Sequence, residues 1–314
     1  MQHGGNIAEA SRHYGIAEGN WLDLSTGISP FAYPVGKIPK ASWCNLPYGT
    51  EGLLAAASGY YGAPSDCLAI APGSQALISF LPQLFAGEKE VEILTPTYSE
   101  HATSWQNSGF QIKDKAPILV VVNPNNPDGR VILPNDLLEL AKNRKWLIVD
   151  EAFADVMPEI SVASYVENYP NIIVLRSFGK FFGLAGLRLG VLIGAPSIVS
   201  KVREMLGLWV VSGPAIYVAT KAFNDKAWIV KTRKKLRNCR IELDHILDNA
   251  GFKVIGGCDL FRLVETKNAA EWHEYMARNG VLVRKFDYNS SWLRLGLASV
   301  VEMQQCLSKA LSKR

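Results

Sequence analysis

The runs "APILVVVNP", "WLIVDEAF" and "NIIVLRSF" constrain this chain more than any other feature. Each is short, β-rich and apolar, and "ILVVV" has no polar member, which is the pattern of a strand covered on both faces. Between the first two, "LPNDLLELAKNRK" reads as an amphipathic helix whose start is marked by Pro134 and Asn135. "EVEILTP" upstream and "GLRLGVLIG" downstream are further strands. Strands alternating with helices build βαβ units and a mainly parallel sheet, so the expected fold class is α/β.

After "SGPAIYVATKAF" the character changes. One long helical stretch covers about residues 214–249, followed by the short strands "FKVI", "LFRLVE", "VLVRKF" and "WLRLGL" and a closing helix near "VEMQQCLSKALSK". A chain of 314 residues is long enough for two domains. The expected division is a large domain over 41–213 and a smaller α+β domain made of 1–40 and 214–314.

Composition excludes several classes. Hydrophobic content of 48% and charged content of 20% describe a globular chain, and the net charge is only +4. The basic run "KTRKKLRNCR" at 231–240 has no interleaved aromatic residues, so it reads as the wet side of a helix and not as a nucleic-acid face. The five cysteines show no CxxC spacing, which argues for reduced thiols in a reducing compartment and against a disulfide framework or a metal site. No stretch approaches the ~18 apolar residues of a membrane span. The N-terminal "MQHGGNIAEASRHYG" has no apolar signal core, so the expected location is the cytoplasm.

The chemistry lies where the strands stop. "ILVVV" runs into "NPNNPDG", "WLIV" into Asp150, and "IIVL" into "RSFGK". Open α/β sheets bind ligands just outside the carboxyl ends of their strands, so Asn126, Asp150 and Lys180 are expected to converge at one mouth. Each is ordinary alone, as a turn residue, a helix cap and a solvated lysine. Yet Lys180 sits in "SFGKFFGLAGLRLG", an apolar, Gly-rich run. An ammonium with a pKa of ~10.4 is a poor nucleophile until its surroundings remove the charge, which an apolar pocket does by desolvation. A lysine, an aspartate, an amide and an anion cradle together are the set pyridoxal phosphate chemistry requires. The lysine forms a Schiff base, and the aspartate keeps the ring nitrogen protonated so that the ring accepts carbanion charge. The amide bonds the phenolate oxygen, and Ser, Arg and backbone N–H groups hold the phosphate.

"NPNNPDG", "VDEAF" and "SFGKFFGLAGLRLG" resemble the aspartate aminotransferase superfamily, fold type I of the pyridoxal-phosphate enzymes, nearest its histidinol-phosphate aminotransferase branch. That resemblance implies a large domain whose mostly parallel sheet lies between helices. It makes Lys180 the Schiff-base lysine, Asp150 the pyridinium partner and Asn126 the phenolate donor. Ser177, Arg188, Ser74 and Gln75 would form the phosphate cup, and Tyr98 would stack on the ring. The bland readings of Tyr98 as core and of "PGS" as a helix-cap turn stay open. One departure stands out: the family commonly carries Tyr where this chain has Phe153.

The opening "HGGNIAEASRHYGI" and "WLDLSTGISPFAYP", with "DEAF", resemble the threonine-phosphate decarboxylases of cobalamin biosynthesis. The family pattern makes Arg294 the carboxylate-binding residue, and Arg284 with His3 the phosphate-binding pair. The reaction so implied is loss of CO2 from L-threonine O-3-phosphate and protonation at Cα, giving (R)-1-amino-2-propanol O-2-phosphate. The rival is an aminotransferase acting on histidinol phosphate or a similar compound. A rival of another class is a silent binding or regulatory subunit. Kinship also implies a homodimer in which a tyrosine crosses to the partner's cofactor. Here Leu46 falls at that tyrosine's place and Tyr48 two residues on. The stretch from Trp105 to Ile118 is short for the family.

Overall fold

The computed structural model describes residues 4–312. Among them the strands in chain order are β1 (Leu22–Asp23), β2 (Leu68–Ala71), β3 (Glu90–Ile93), β4 (Gln111–Ile112), β5 (Ile118–Val122), β6 (Trp146–Asp150), β7 (Ile172–Ser177), β8 (Gly190–Ile193), β9 (Lys253–Cys258), β10 (Phe261–Glu265), β11 (Val281–Leu282), β12 (Arg284–Phe286) and β13 (Asn289–Gly296). The chain divides into a larger unit, Ala32–Asn126 with Arg130–Trp228, and a smaller one, Met1–Phe31 with Pro127–Gly129 and Ile229–Arg314.

The larger unit is built on a sheet of order β2-β8-β7-β6-β5-β3-β4. The pairs from β4 through β3, β5 and β6 to β7 are parallel, as the alternating pattern requires. β8 runs antiparallel to both neighbours, β2 and β7. Every residue of β5, β7 and β8 is buried, which is why these runs carry so few polar side chains. Ile118, Val120, Ile148, Ile173 and Leu192 pack with Trp105 into one core. Each such side chain contributes about 1.5–3 kcal/mol by leaving water.

The edges of the larger unit differ from the expected 40/41 and 213/214. The expected single helix over 214–249 is two helices, Gly213–Asn224 and Lys226–Asn249. Asp225 breaks them and caps the second, its Oδ1 accepting the Trp228 N–H at 2.9 Å. Phe223 packs among Tyr60, Tyr61, Phe178 and Phe182, and Trp228 stacks on Phe182 at 5.6 Å, which ties both residues to the larger unit. Tyr33 joins them, its N–H donating to Phe182 O at 2.8 Å. The unit therefore ends after Trp228 and begins at Ala32.

The smaller unit holds an antiparallel sheet, β12-β13-β10-β9, and a parallel pair, β1-β11. "VLVRKF" is two strands and not one: β11 pairs with β1, and β12 with β13. The last helical run, Val300–Leu311, widens to π spacing over Met303–Ser308. Pro127–Gly129, from "NPNNPDG", belongs to this unit because Gly257 N–H donates to Asp128 O at 2.8 Å. The approach is so close that a Cβ on Gly256 would stand 2.0 Å from that oxygen, and one on Gly129 2.3 Å from Gly257 O. Glycine is the only residue that fits at either place.

Candidate active site

The parallel register aligns the strand ends of the larger unit. Val122 pairs with Asp150, and Asp150 with Leu175, so β5, β6 and β7 stop within two residues of one another. Asn123 N–H extends the ladder by donating to Asp150 O at 2.8 Å. The asparagines of "NPNNPDG" then divide their work. Asn123 exchanges two side-chain bonds with the Ile132 backbone, at 3.0 and 2.9 Å. Asn125 donates to Pro96 O at 2.9 Å and accepts from Thr97 Oγ1 at 2.6 Å. Both are buried and hold the loop, while Asn126 at its tip is only half-buried.

Asp150 is 3% exposed. One carboxylate oxygen accepts the Ala152 N–H at 3.0 Å, and the other lies 3.0 Å from His101 Nε2. His101 is fully buried, and its Nδ1 has no partner among the described residues. Nothing in its isolated sequence context singled His101 out. The available signal was its place one helical turn beyond Tyr98, in the helix Ser99–Asn107. Tyr98 itself donates its hydroxyl to Gln75 Oε1 at 3.0 Å, which brings these two expected site residues together.

Lys180 is half-buried in the short helix Phe178–Phe181, between phenylalanines that are fully buried. Its Nζ lies 5.5 Å from the centre of the Phe153 ring, so the residue standing where the family carries Tyr faces the lysine. Ser177 ends β7 and pairs with Gly190. A Cβ on Gly190 would lie 2.4 Å from Ser74 N, and one on Gly73 2.5 Å from the Arg188 guanidinium. These contacts gather Ser177, Ser74 and Arg188 around one turn. Arg188 holds a left-handed φ of 55°, and the helix Ser74–Phe80 has no side chain capping its first N–H groups. Uncapped N–H groups beside a guanidinium, on backbone too close for any Cβ, make a cradle for an anion. A cradle at one end, a buried carboxylate backed by a histidine, and a lysine in an aromatic setting fit pyridoxal phosphate.

The opposite face of the same strand ends carries a charge cluster that the sequence reading did not single out. Glu151 and Arg176 are the chain neighbours of Asp150 and Ser177, so strand alternation turns them away from the site. Arg176 bonds Glu151 at 2.5 Å and Asp155 at 2.6 Å, all three at most 2% exposed. Burial opposes the Arg176 charge, but Asp155 and Glu151 overcome it and hold its pKa well above the ordinary value.

In the smaller unit, Arg284 and Arg294 are direct partners across β12 and β13. Cross-strand partners share one face of a sheet. Arg294 is 7% exposed, donates to Ser25 O at 3.1 Å and lies over the Phe261 ring. Tyr288 sits in the turn joining the two strands. Its phenol is pushed up to about 12, chiefly by burial, against the pull of Arg294 and Arg284. His3 lies outside the described residues. Gly4, which follows it, lines a small cavity with Arg284.

A fold of this kind with this set of residues is that of a pyridoxal-phosphate enzyme. The chain belongs to the aminotransferase class I and II family, whose model matches residues 111–308. It is 42% identical to a threonine-phosphate decarboxylase of Pseudomonas aeruginosa, over 95% of this chain and 93% of that one. A threonine-phosphate decarboxylase of a Sinorhizobium species is 39% identical, over 99% and 97%. A histidinol-phosphate aminotransferase of Baumannia cicadellinicola is 27% identical over 76% of this chain and 72% of that one. Among solved structures, histidinol-phosphate aminotransferase from Sinorhizobium meliloti, in complex with pyridoxal-5'-phosphate, aligns with a TM-score of 0.85 at 17% identity, covering 98% and 95% of the two chains. L-threonine-O-3-phosphate decarboxylase from Porphyromonas gingivalis aligns at 0.78 and 18%, covering 92% and 98%. Both share the fold.

Proposed function

We propose that this enzyme decarboxylates L-threonine O-3-phosphate to (R)-1-amino-2-propanol O-2-phosphate, supplying the aminopropanol of the cobalamin side chain. The observation that carries the reading is the register pairing of Arg284 with Arg294. Like charges directly opposite each other on one sheet face destabilise it, so the arrangement suits a ligand with two anionic groups close together. Threonine phosphate carries a carboxylate directly on Cα and a phosphorus three bonds from it, whereas histidinol phosphate has a phosphate and no carboxylate. The identity to two decarboxylases over nearly the whole chain supports the same choice.

In this reading Arg294 takes the carboxylate, and Arg284 with His3 takes the phosphate. Bound pyridoxal phosphate supplies the electron sink that makes cleavage at Cα accessible. Asp150, backed by His101, holds the proton on the ring nitrogen. Asn126 donates to the phenolate, while Ser74, Gln75, Ser177 and Arg188 hold the phosphate and Tyr98 covers the ring. With that cofactor bound, Arg294 would orient the carboxylate that is lost as CO2, and Lys180 Nζ would return a proton to Cα. Arg294 must orient the carboxylate without binding it so well that its loss is slowed. The Arg294 guanidinium rests on the Phe261 ring and donates to Ser25 O, which fixes its orientation.

The enzyme works as a homodimer in the cytoplasm. Its five cysteines are free thiols, which suits a reducing compartment. Trp43, Leu46, Tyr48, Leu208 and Trp209 are exposed on the larger unit, and the last two line one groove of about 340 Å³ with Tyr48. A second copy covers this surface. The test is CO2 trapped from threonine phosphate by the holoenzyme, abolished in Lys180→Ala. Keto-acid-dependent turnover of histidinol phosphate without CO2 release would replace this reading with the aminotransferase one. Protein with no visible cofactor absorbance would point to a silent subunit.

A further inference from the structure

Tyr98 is held at both ends of its ring. Its hydroxyl donates to Gln75 Oε1 at 3.0 Å, and Gln75 directly follows Ser74 of the anion cradle. Its ring meets the His101 imidazole edge to face at 6.3 Å, and His101 Nε2 stands 3.0 Å from Asp150. The tyrosine therefore reaches from the residues that suit a phosphate to the carboxylate that suits a ring nitrogen. The Gln75 amide is anchored in turn, its Nε2 donating to Glu100 Oε2 at 3.3 Å and to Ser79 Oγ at 3.5 Å. Glu100 lies two residues beyond Tyr98, in the first turn of the helix Ser99–Asn107. Gln75, Tyr98 and Glu100 are all half-buried.

We propose that Glu100 is a positioning residue: acting through Gln75, it sets the tilt of the Tyr98 ring over the bound pyridoxal phosphate. This role rests on the reading that Tyr98 covers the cofactor ring. An amide has a donor end and an acceptor end, whereas a carboxylate only accepts. Glu100 thus turns the Gln75 NH2 group towards itself and the Gln75 carbonyl towards Tyr98, which donates its hydroxyl proton. The sense of the chain is fixed from the carboxylate outwards, and a charged terminus strengthens the bonds that lead to it. A hydroxyl held at one end and an imidazole at the other restrict both torsions of the tyrosine side chain. A ring ordered beforehand costs the cofactor less to bind than one it must order itself.

Two measurements on the full chain test this: the affinity for pyridoxal phosphate, titrated by visible absorbance, and the circular dichroism that the protein induces in the bound cofactor's visible band. Glu100→Leu offers Gln75 no acceptor. It is expected to weaken cofactor binding about three- to tenfold and to lower the induced dichroism, as loss of one half-exposed, charge-assisted hydrogen bond requires. Glu100→Gln keeps a carbonyl acceptor and is expected to recover most of both. In a Tyr98→Phe background the hydroxyl link is already gone, so Glu100→Leu is expected to add nothing there. An equal loss from Glu100→Leu in both backgrounds, or wild-type affinity and dichroism in Glu100→Leu, overturns the proposal. Tyr98→Ala separates that failure from failure of the reading beneath it. Weakened binding in Tyr98→Ala beside wild-type binding in Glu100→Leu removes the positioning role alone. Unchanged binding in Tyr98→Ala removes the tyrosine from the cofactor, and the proposal with it.

Discussion

Asp150 is 3% exposed and its two carboxyl oxygens meet the Ala152 N–H and His101. Removing one partner of a buried charge leaves its desolvation penalty uncompensated, at about 1–3 kcal/mol. His101→Phe keeps the volume of the ring and deletes the contact. Pyridoxal phosphate, titrated by its visible absorbance, is expected to bind that variant about ten- to a hundredfold more weakly. His101→Gln, which can still donate to Asp150, is expected to recover most of the loss. If His101 merely filled space, the phenylalanine variant would bind the cofactor as wild type does. Phe153 puts an apolar ring 5.5 Å from Lys180 Nζ, so on that side the amine meets a π face.

At the scale of elements, the charge cluster of Arg176, Glu151 and Asp155 fastens the ends of β6 and β7 from the face opposite the site. Arg176→Met is expected to cost about 3–5 kcal/mol, because it strands two buried carboxylates, and a lowered urea midpoint measures it. Adding Glu151→Leu and Asp155→Leu to that variant is expected to restore part of the loss, since apolar side chains of similar volume suit a dry interior. Much of this architecture could be read from the chain. Runs such as "ILVVV" betray strands covered on both faces, and the polar residues that follow them lie where the parallel strands end together. The rest was hidden for definite reasons. β8 is as apolar as its neighbours, and strand direction leaves no mark on composition. Asp225 looks like one more polar residue on a long helix until its capping bond to Trp228 is seen. Pro127–Gly129 joins the smaller unit through backbone contacts to Gly256 and Gly257, which no side-chain pattern records. His101 is a lone histidine whose meaning depends on a carboxylate 49 positions away in the chain.

For the whole molecule, the apolar surface carrying Leu208, which is 75% exposed, predicts association. Leu208→Asp puts a charge into that surface, and sedimentation is expected to show wild type as two chains and the variant as one. Acid is expected to act on the fold through the smaller unit. His273 has a folded pKa of about 4 against about 6.5 when unfolded. Between those values the unfolded chain binds a proton that the folded chain refuses, so folding stability is full above about pH 6.5 and falls as pH drops towards 4. The span corresponds to about 3 kcal/mol, a large share of the 5–15 kcal/mol that holds a typical protein together. His273→Gln removes the difference in proton binding, so its urea midpoint is expected to lose less than that of wild type between pH 6.5 and 4.5.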